Sequence, residues 1–168
     1  MNLCLSIETI ILHLKFMTMK ARISFEDISK ELMEVLMKPG YYIHQSGLDP
    51  MLIELMNFRV STINGCAYCL DMHFKDAIAM GESEQRLYSL AAWRECPYYS
   101  EKERAVLAYA EAVTANHVED PVFDALTAFF SKKEIADLTV AVTAINTWNR
   151  LNRAFRTIPG GYKVGQYA

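Results

Sequence analysis

The chain has 168 residues, of which 52% are hydrophobic and 22% are charged, and its net charge at pH 7 is -3. This length suits one domain with a hydrophobic core and is short for two. Because lysines and arginines are scattered through a slightly acidic chain, we expect no nucleic-acid partner. The four cysteines lack the regular spacing of a secreted disulfide scaffold, so we expect a cytoplasmic protein.

Residues 1–18 are interpreted as a doubtful N-terminal extension, ahead of a single domain that spans residues 19–168. No basic segment precedes the apolar residues of this extension, and Glu8, His13 and Lys15 interrupt them. The segment therefore predicts neither a signal peptide nor a membrane span. We assign no function to it.

The predicted elements are helices, and the first covers the sequence FEDISKELMEVLMK. Ser24 followed by Asp27 is a helix start signal, and apolar residues then recur at helical spacing. Proline and glycine are poor residues for a helix interior, so we expect Pro39 and Gly40 to end this helix.

The second and third helices form a predicted hairpin. Asp49 followed by Pro50 is typical of a helix start, and Asn64 followed by Gly65 is typical of a helix end. The third helix should therefore begin directly after this turn and continue to Gly81.

Further helix starts follow in the second half of the chain, at Ser83, at Ser100 with Glu103, at Asp120 with Pro121, and at Ser131 with Glu134. No segment alternates between apolar and polar residues over the length of a strand. We therefore predict an all-α fold, a single-domain helical bundle. The high apolar fraction also favours a homo-oligomer, because one small bundle cannot easily bury so many apolar residues.

Cys66 and Cys69 form the only Cys-x-x-Cys pair of the chain. Cys66 falls in the first turn of the predicted third helix, where unpaired backbone N–H groups favour a thiolate. Cys69 lies one turn further on, and His73 follows at i+4 on the same helical face, as a base or hydrogen-bond partner. Two thiols at this spacing can also close into a disulfide.

Glu54 lies about as far before the hairpin turn as His73 lies after it, roughly 15 Å at the rise of an α-helix. In an antiparallel hairpin the carboxylate would therefore face the imidazole and orient it, and the imidazole would take a proton from Cys69. The pattern predicts a relay from Glu54 through His73 to Cys69.

Glu54, the Cys-x-x-Cys pair and His73 together resemble the signature of the alkylhydroperoxidase D-like proteins in the carboxymuconolactone decarboxylase superfamily. The segments INGCAYCLDMHFKDAIAMGESEQRLYSLAAWRE, EKERAVLAYAEAV and INTWNRLNRAFRTIPGGY extend this resemblance from about residue 24 to the end of the chain. The resemblance implies an all-helical homo-oligomer, a trimer or hexamer, that reduces hydroperoxides through a thiol.

The same resemblance implies that Glu54, Cys66, Cys69 and His73 form the redox site, without a metal or a tightly bound cofactor. It also implies an external dithiol reductant of the dihydrolipoamide type and a lipoylated or peroxiredoxin protein as partner. The family pattern has a histidine directly before the second cysteine, where this chain has Tyr68, so its proton relay should be shorter. We expect Cys69 to attack the peroxide and Cys66, nearer the surface, to resolve the sulfenic acid.

Other interpretations of the cysteine pair stay open at this point. A zinc site would use His73 as a third ligand, but no fourth ligand stands out. Cys66 and Cys69 could instead be buried as small apolar side chains. The main functional alternative is a non-catalytic oligomeric protein for binding or redox sensing. A thioredoxin-like fold is excluded by the missing βαβ pattern.

The remaining polar residues receive structural interpretations. We expect His44 and His117 at the surface, and Asp71 and Asp76 on solvated faces. The sequence INTWNR in the last helix carries polar side chains that we expect to be satisfied at an interface.

Overall fold

The computed structural model describes residues 19–167 and confirms the all-α prediction. Within this range the chain forms seven α-helices and two short 3-10 segments, and no β-strand. The helices are α1 Lys30–Gln45, α2 Pro50–Asn64, α3 Ala67–Ala79, α4 Glu84–Ser89, α5 Glu101–Thr114, α6 Asp120–Leu126 and α7 Lys132–Phe155, and the 3-10 segments are Phe25–Asp27 and Leu90–Glu95. None of these helices is long and apolar enough to cross a lipid bilayer. The N-terminal extension, residues 1–18, lies outside the described range.

The first helix starts later than predicted. Ser24 and Asp27 do form a capping box, but it closes only the 3-10 turn Phe25–Asp27. The α-helix itself starts at Lys30, where the hydroxyl of Ser29 accepts the backbone N–H of Leu32 at 3.2 Å.

The prediction that Pro39 and Gly40 end the first helix is wrong, because α1 continues through both residues to Gln45. Its last turns are held by tertiary contacts: Ile43 is buried, and the Tyr42 hydroxyl donates to Asp137 on α7 at 2.8 Å. These contacts offset the backbone hydrogen bond that a proline cannot donate.

The predicted hairpin of α2 and α3 is confirmed. The Asp49 carboxylate accepts the backbone N–H of Met51 at 3.0 Å, and Pro50 occupies the first turn of α2. Gly65 ends α2 with a φ of 63°, a left-handed conformation that glycine adopts without strain. Cys66 is the N-cap of α3, so the dithiol lies directly at the reversal of the chain.

The later helix starts also agree with the sequence. Ser100 with Glu103 and Ser131 with Glu134 form complete capping boxes, and the Ser83 hydroxyl accepts the N–H of Arg86. The sixth helix begins one residue earlier than predicted, so Asp120 is its first residue.

The core has two clusters of buried apolar side chains that share the hairpin. The larger cluster joins α2, α3, α5 and α7 and includes Cys66, Tyr68 and Cys69. The smaller cluster packs Leu55 and Ala77 against α4, α5 and the 3-10 segment Leu90–Glu95. The long helix α7 contacts α1, α2, α3 and α5, so it closes the bundle over the dithiol.

Helix α1 keeps apolar side chains exposed on the described chain. Leu32 is 51% exposed and Val35 is 59% exposed, and Tyr41 and Tyr42 lie on the surface as well. Ile43 is the one buried residue of this helix. The apolar stripe that predicts α1 therefore does not enter the core of the single chain.

Candidate active site

The sulfurs of Cys66 and Cys69 lie at disulfide-bonding distance, with their Cα atoms 5.4 Å apart. The Cys66 sulfur also accepts the backbone N–H of Cys69 at 3.4 Å, as an N-cap side chain does. Each cysteine is 1% exposed, so the expectation that Cys66 lies nearer the surface is wrong. An N-cap side chain turns back over its own helix, which here places both sulfurs in the same core cluster.

Glu54 on α2 faces His73 on α3, as the hairpin geometry predicts. The Oε2 atom of Glu54 lies 2.7 Å from Nδ1 of His73, and the two residues are 9% and 4% exposed. A carboxylate only accepts hydrogen bonds, so Nδ1–H is the donor and Nε2 keeps its lone pair while the imidazole is neutral. The pair therefore presents an oriented imidazole to the buried side of α3.

The final link of the predicted relay is not a hydrogen bond in this disulfide-bonded structure. Within the described range, Nε2 of His73 is buried and has no hydrogen-bond partner. Buried polar atoms without a partner are uncommon and costly, and they concentrate at functional sites. The free Nε2 atom is the one position of the ring at which a proton can be exchanged.

Asn152, in the last turn of α7, is a site residue that the sequence reasoning missed. Its Nδ2 atom donates to the Cys69 sulfur at 3.5 Å, and the residue is 5% exposed. Its Oδ1 atom is buried without a partner among the described residues. The only sequence signal is the helical spacing from Asn149, and that spacing does not reveal that α7 packs against the dithiol.

Tyr68, between the two cysteines, makes its polar contact away from them. Its hydroxyl lies 2.9 Å from the hydroxyl of Tyr167 near the chain end. Burial, and then this hydrogen bond, raise the pKa of Tyr68, so its phenol keeps its proton at neutral pH. Tyr68 therefore cannot act as a base in place of the family's histidine.

The C-terminal segment, residues 160–167, lies across α3 and corrects the expectation for two aspartates. The Tyr162 hydroxyl donates to Asp76 at 2.8 Å, and the backbone N–H of Gly160 donates to Asp71 at 3.0 Å. Burial raises the pKa of Asp76, and the hydrogen bond from Tyr162 opposes that shift. Both carboxylates are partly covered by this segment, so neither is as fully solvated as expected.

The polar residues of INTWNR are satisfied, as expected, but within the chain. The Asn64 side-chain amide donates to Asn146 at 3.0 Å and to Asn149 at 2.9 Å. Asn149 in turn donates to the Ser61 hydroxyl at 3.0 Å. This network attaches the turn before Cys66 to α7.

His44 and His117 are exposed, as predicted. Among residues 19–167, no group of three or more histidine, cysteine, aspartate or glutamate side chains is arranged to hold a metal ion. The third cysteine of this range, Cys96, is half-buried and unpaired, and it belongs to the surroundings of the smaller core cluster.

Comparison with known sequences gives a consistent assignment. The sequence profile of the carboxymuconolactone decarboxylase family matches residues 30–112. The uncharacterised protein YdfG of Bacillus subtilis strain 168 is 39% identical over 139 residues, which cover 81% of this chain and 95% of YdfG.

Solved structures share the arrangement of helices. ATU0492 from Agrobacterium tumefaciens, of unknown function and suggested to be the antioxidant defence protein AhpD, is 42% identical with a TM-score of 0.81, over 85% of this chain and 100% of that one. The debrominase Bmp8 is 20% identical with a TM-score of 0.70, over 78% of this chain and 72% of Bmp8, and therefore shows a common fold alone.

Proposed function

Because the chain belongs to the carboxymuconolactone decarboxylase family and has an alkylhydroperoxidase D-like fold, we propose that it is a thiol-dependent peroxidase and disulfide oxidoreductase. The observation that carries the proposal is the buried Cys66 and Cys69 pair beside the hydrogen-bonded Glu54 and His73. A dithiol that closes reversibly next to an oriented base has the parts that two-electron reduction of a peroxide requires.

In the first step, His73 takes the proton of the Cys69 thiol and the thiolate attacks the hydroxyl oxygen of a hydroperoxide ROOH. A sulfur–oxygen bond forms and the oxygen–oxygen bond breaks, so Cys69 becomes a sulfenic acid. The departing alkoxide takes the proton back from Nε2 of His73 and leaves as the alcohol ROH. Glu54 keeps the imidazole in position and offsets its positive charge during the exchange.

In the second step, the Cys66 sulfur attacks the sulfenic sulfur of Cys69. A disulfide bond forms, the sulfur–oxygen bond breaks, and the hydroxide leaves as water with the Cys66 proton. Two electrons have then passed from the dithiol to the peroxide. An external dithiol of the dihydrolipoamide type, free or on a lipoylated partner, restores both thiols by exchange and becomes a disulfide itself. A peroxiredoxin partner would instead have its disulfide reduced by the Cys66 and Cys69 thiols, which become the disulfide.

A second candidate function is a redox sensor whose dithiol closes without rapid turnover. Two observations favour it: both cysteines are 1% exposed, and Nε2 of His73 makes no hydrogen bond to either sulfur. A sensor needs closure of the disulfide but no fast regeneration, and burial of both sulfurs slows the access of an external reductant to the disulfide.

Steady-state consumption of an organic hydroperoxide with dihydrolipoamide as reductant separates the two functions. We expect turnover by the wild-type chain and by Cys96→Ser, a control that removes a cysteine outside the dithiol. We expect loss of turnover in Cys66→Ser and in Cys69→Ser. A single stoichiometric oxidation without turnover would support the sensor, and free thiols that persist at Cys66 and Cys69 after peroxide would contradict both functions.

A further inference from the structure

Helix α7 brings one neutral polar side chain, Asn152, against the dithiol. Its amide nitrogen lies 3.5 Å from the Cys69 sulfur, and its amide oxygen is buried without a partner among residues 19–167. The residue is 5% exposed, so water does not readily replace either contact. An amide buried at this depth ordinarily uses both its donors and its acceptor within the protein.

We propose that Asn152 is a further catalytic residue, whose N–H donates to the attacking Cys69 thiolate and whose Oδ1 accepts the O–H of the hydroperoxide. The inference rests on the proposed function, because that function supplies the hydroperoxide. The assignment to Cys69 and not Cys66 rests on the observed contact between Asn152 and the Cys69 sulfur. A hydrogen bond to a charged acceptor is stronger than one to a neutral acceptor, so the contact with Cys69 gains strength when the thiolate forms.

The Oδ1 atom of Asn152, which has no partner within residues 19–167, is the acceptor that would hold the hydroperoxide. The hydroxyl oxygen of ROOH is the atom that sulfur attacks, and its hydrogen stays on that oxygen when Cys69 becomes a sulfenic acid. An acceptor on the amide that touches the sulfur therefore orients the reacting oxygen toward the thiolate throughout the step. The alkoxide half still receives its proton from His73.

The contact between Asn152 and Cys69 also indicates which of the two cysteines attacks the peroxide. The Cys66 sulfur receives a backbone N–H at 3.4 Å, and the Cys69 sulfur receives the side-chain amide at 3.5 Å. The backbone donor belongs to the start of α3 and is present whatever the side chains are, whereas the amide donor is specific to Asn152. Asn152 therefore adds stabilisation to the Cys69 thiolate alone and favours Cys69 as the attacking residue.

The ionisable groups around Asn152 and Cys69 belong to other residues of the site. They are Cys66, His73 and Asp76 on α3, Glu54 on α2, and the hydrogen-bonded phenols of Tyr68 and Tyr167. Asn152 itself does not titrate, so the neutral replacement Asn152→Leu alters the surroundings of the Cys69 thiolate without adding or removing a charge.

The test uses the full chain with Cys4, Cys66 and Cys96 replaced by serine, which leaves Cys69 as the only thiol. The rate of alkylation by iodoacetamide and the thiolate absorbance are followed against pH, without any peroxide. We expect Asn152→Leu to move the titration midpoint upward and to slow alkylation about tenfold at pH values below it, since one charge-assisted hydrogen bond is lost. Asn152→Asp, which has the same shape, should move the midpoint further because it places an anion beside the thiolate.

Asn149→Leu is the matched control, because Asn149 is fully buried one turn away on α7 and contacts Asn64 and Ser61 instead of sulfur. It should lower the thermal stability and leave the Cys69 midpoint unchanged. If Asn152→Leu does not fold, Asn152→Ala decides the question, because it removes the amide without adding a charge. An unchanged midpoint, or an equal shift in Asn149→Leu, would overturn the proposal, and neither result depends on peroxidase turnover.

Discussion

Glu54 and His73 form a buried hydrogen bond in which the charge of the carboxylate matters as much as its position. The replacement Glu54→Gln keeps an acceptor for Nδ1–H and removes the charge that stabilises the imidazolium. In a Cys66→Ser background, we expect sulfenic acid formation at Cys69 to slow about 10- to 100-fold, within the range of general acid–base effects. A dimedone-type trap with mass spectrometry measures this rate, and Glu34→Gln on the exposed face of α1 should leave it unchanged.

The two cysteines are equally buried, so their roles follow from their hydrogen-bond donors and their neighbours. We expect Cys66→Ser to accumulate a trapped sulfenic acid at Cys69 after peroxide, because Asn152 contacts that sulfur and the proposed base, His73, activates it. Cys69→Ser should react slowly, since Cys66 is supported by the helix start alone, an effect of about 0.3 to 1 kcal/mol. Rapid trapping at Cys66 in Cys69→Ser would reverse the role assignment.

Glu111 on α5 illustrates a half-buried charge with a structural role. Burial alone would raise its pKa, but hydrogen bonds from Arg94, Trp93 and Arg59 outweigh burial and lower the pKa below its ordinary value of 4.5. A carboxyl group with a lowered pKa in the folded state stabilises the fold above the pKa of the unfolded chain, and this stabilisation is lost as pH falls.

We therefore expect Glu111→Gln to lower the free energy of unfolding at pH 7 by about 1 to 3 kcal/mol. The difference from wild type should begin to shrink as pH falls below 4.5, the ordinary value, and should disappear below the lowered pKa. Urea unfolding at several pH values measures it. A difference that stays constant down to acidic pH would show that lost packing, and not the charge, causes the destabilisation.

At the scale of the helix, replacement by alanine should change the free energy of unfolding in opposite directions at two glycines. Gly40 lies inside α1, and Gly65 ends α2 with a φ of 63°, while a Cβ atom at either position meets nothing within 4 Å. Gly40→Ala should raise the free energy of unfolding by about 0.5 to 1 kcal/mol, because glycine has the larger entropy in the unfolded chain. Thermal or urea unfolding measures the change.

Gly65→Ala should lower the free energy of unfolding by about 1 to 2 kcal/mol, because a side chain disfavours the left-handed conformation. The hairpin turn would also be displaced, and with it Cys66. If both alanine variants change stability with the same sign, backbone conformation is not what distinguishes the two glycines.

At the scale of the whole molecule, the exposed apolar face of α1 supports the proposal of a homo-oligomer. Leu32 and Val35 lie one turn apart and are both more than half exposed on the described chain. We expect light scattering at micromolar concentration to give a multiple of the 19.2 kDa chain mass. A monomer would contradict the proposal.

A double substitution on the exposed apolar face of α1 tests whether this face is the interface between subunits. Leu32→Glu combined with Val35→Glu should shift the scattering mass toward that of the single chain, because two buried charges without partners oppose association. Tyr88→Glu is the control, since Tyr88 on α4 is 68% exposed and stands apart from α1. An unchanged mass in the α1 variant would place the interface elsewhere.

The sequence by itself determined most of the helix starts and the pairing across the hairpin. Capping residues act within one turn, so Ser100, Ser131 and Gly65 marked helix ends correctly without any tertiary information. The meeting of Glu54 with His73 also followed from local rules, because two helices joined by a tight turn place equidistant residues opposite each other.

Only the tertiary structure decided the contacts that depend on distant segments. The second half of α1 passes Pro39 because packing on α7 outweighs a local preference, and Asp76 is covered because the C-terminal segment returns across α3. Asn152 reaches Cys69 across 83 residues of chain, a contact that no spacing or capping rule encodes. Side-chain packing between helices is set by the shape of the whole bundle, and so the amide beside the dithiol becomes visible only when the chain is folded.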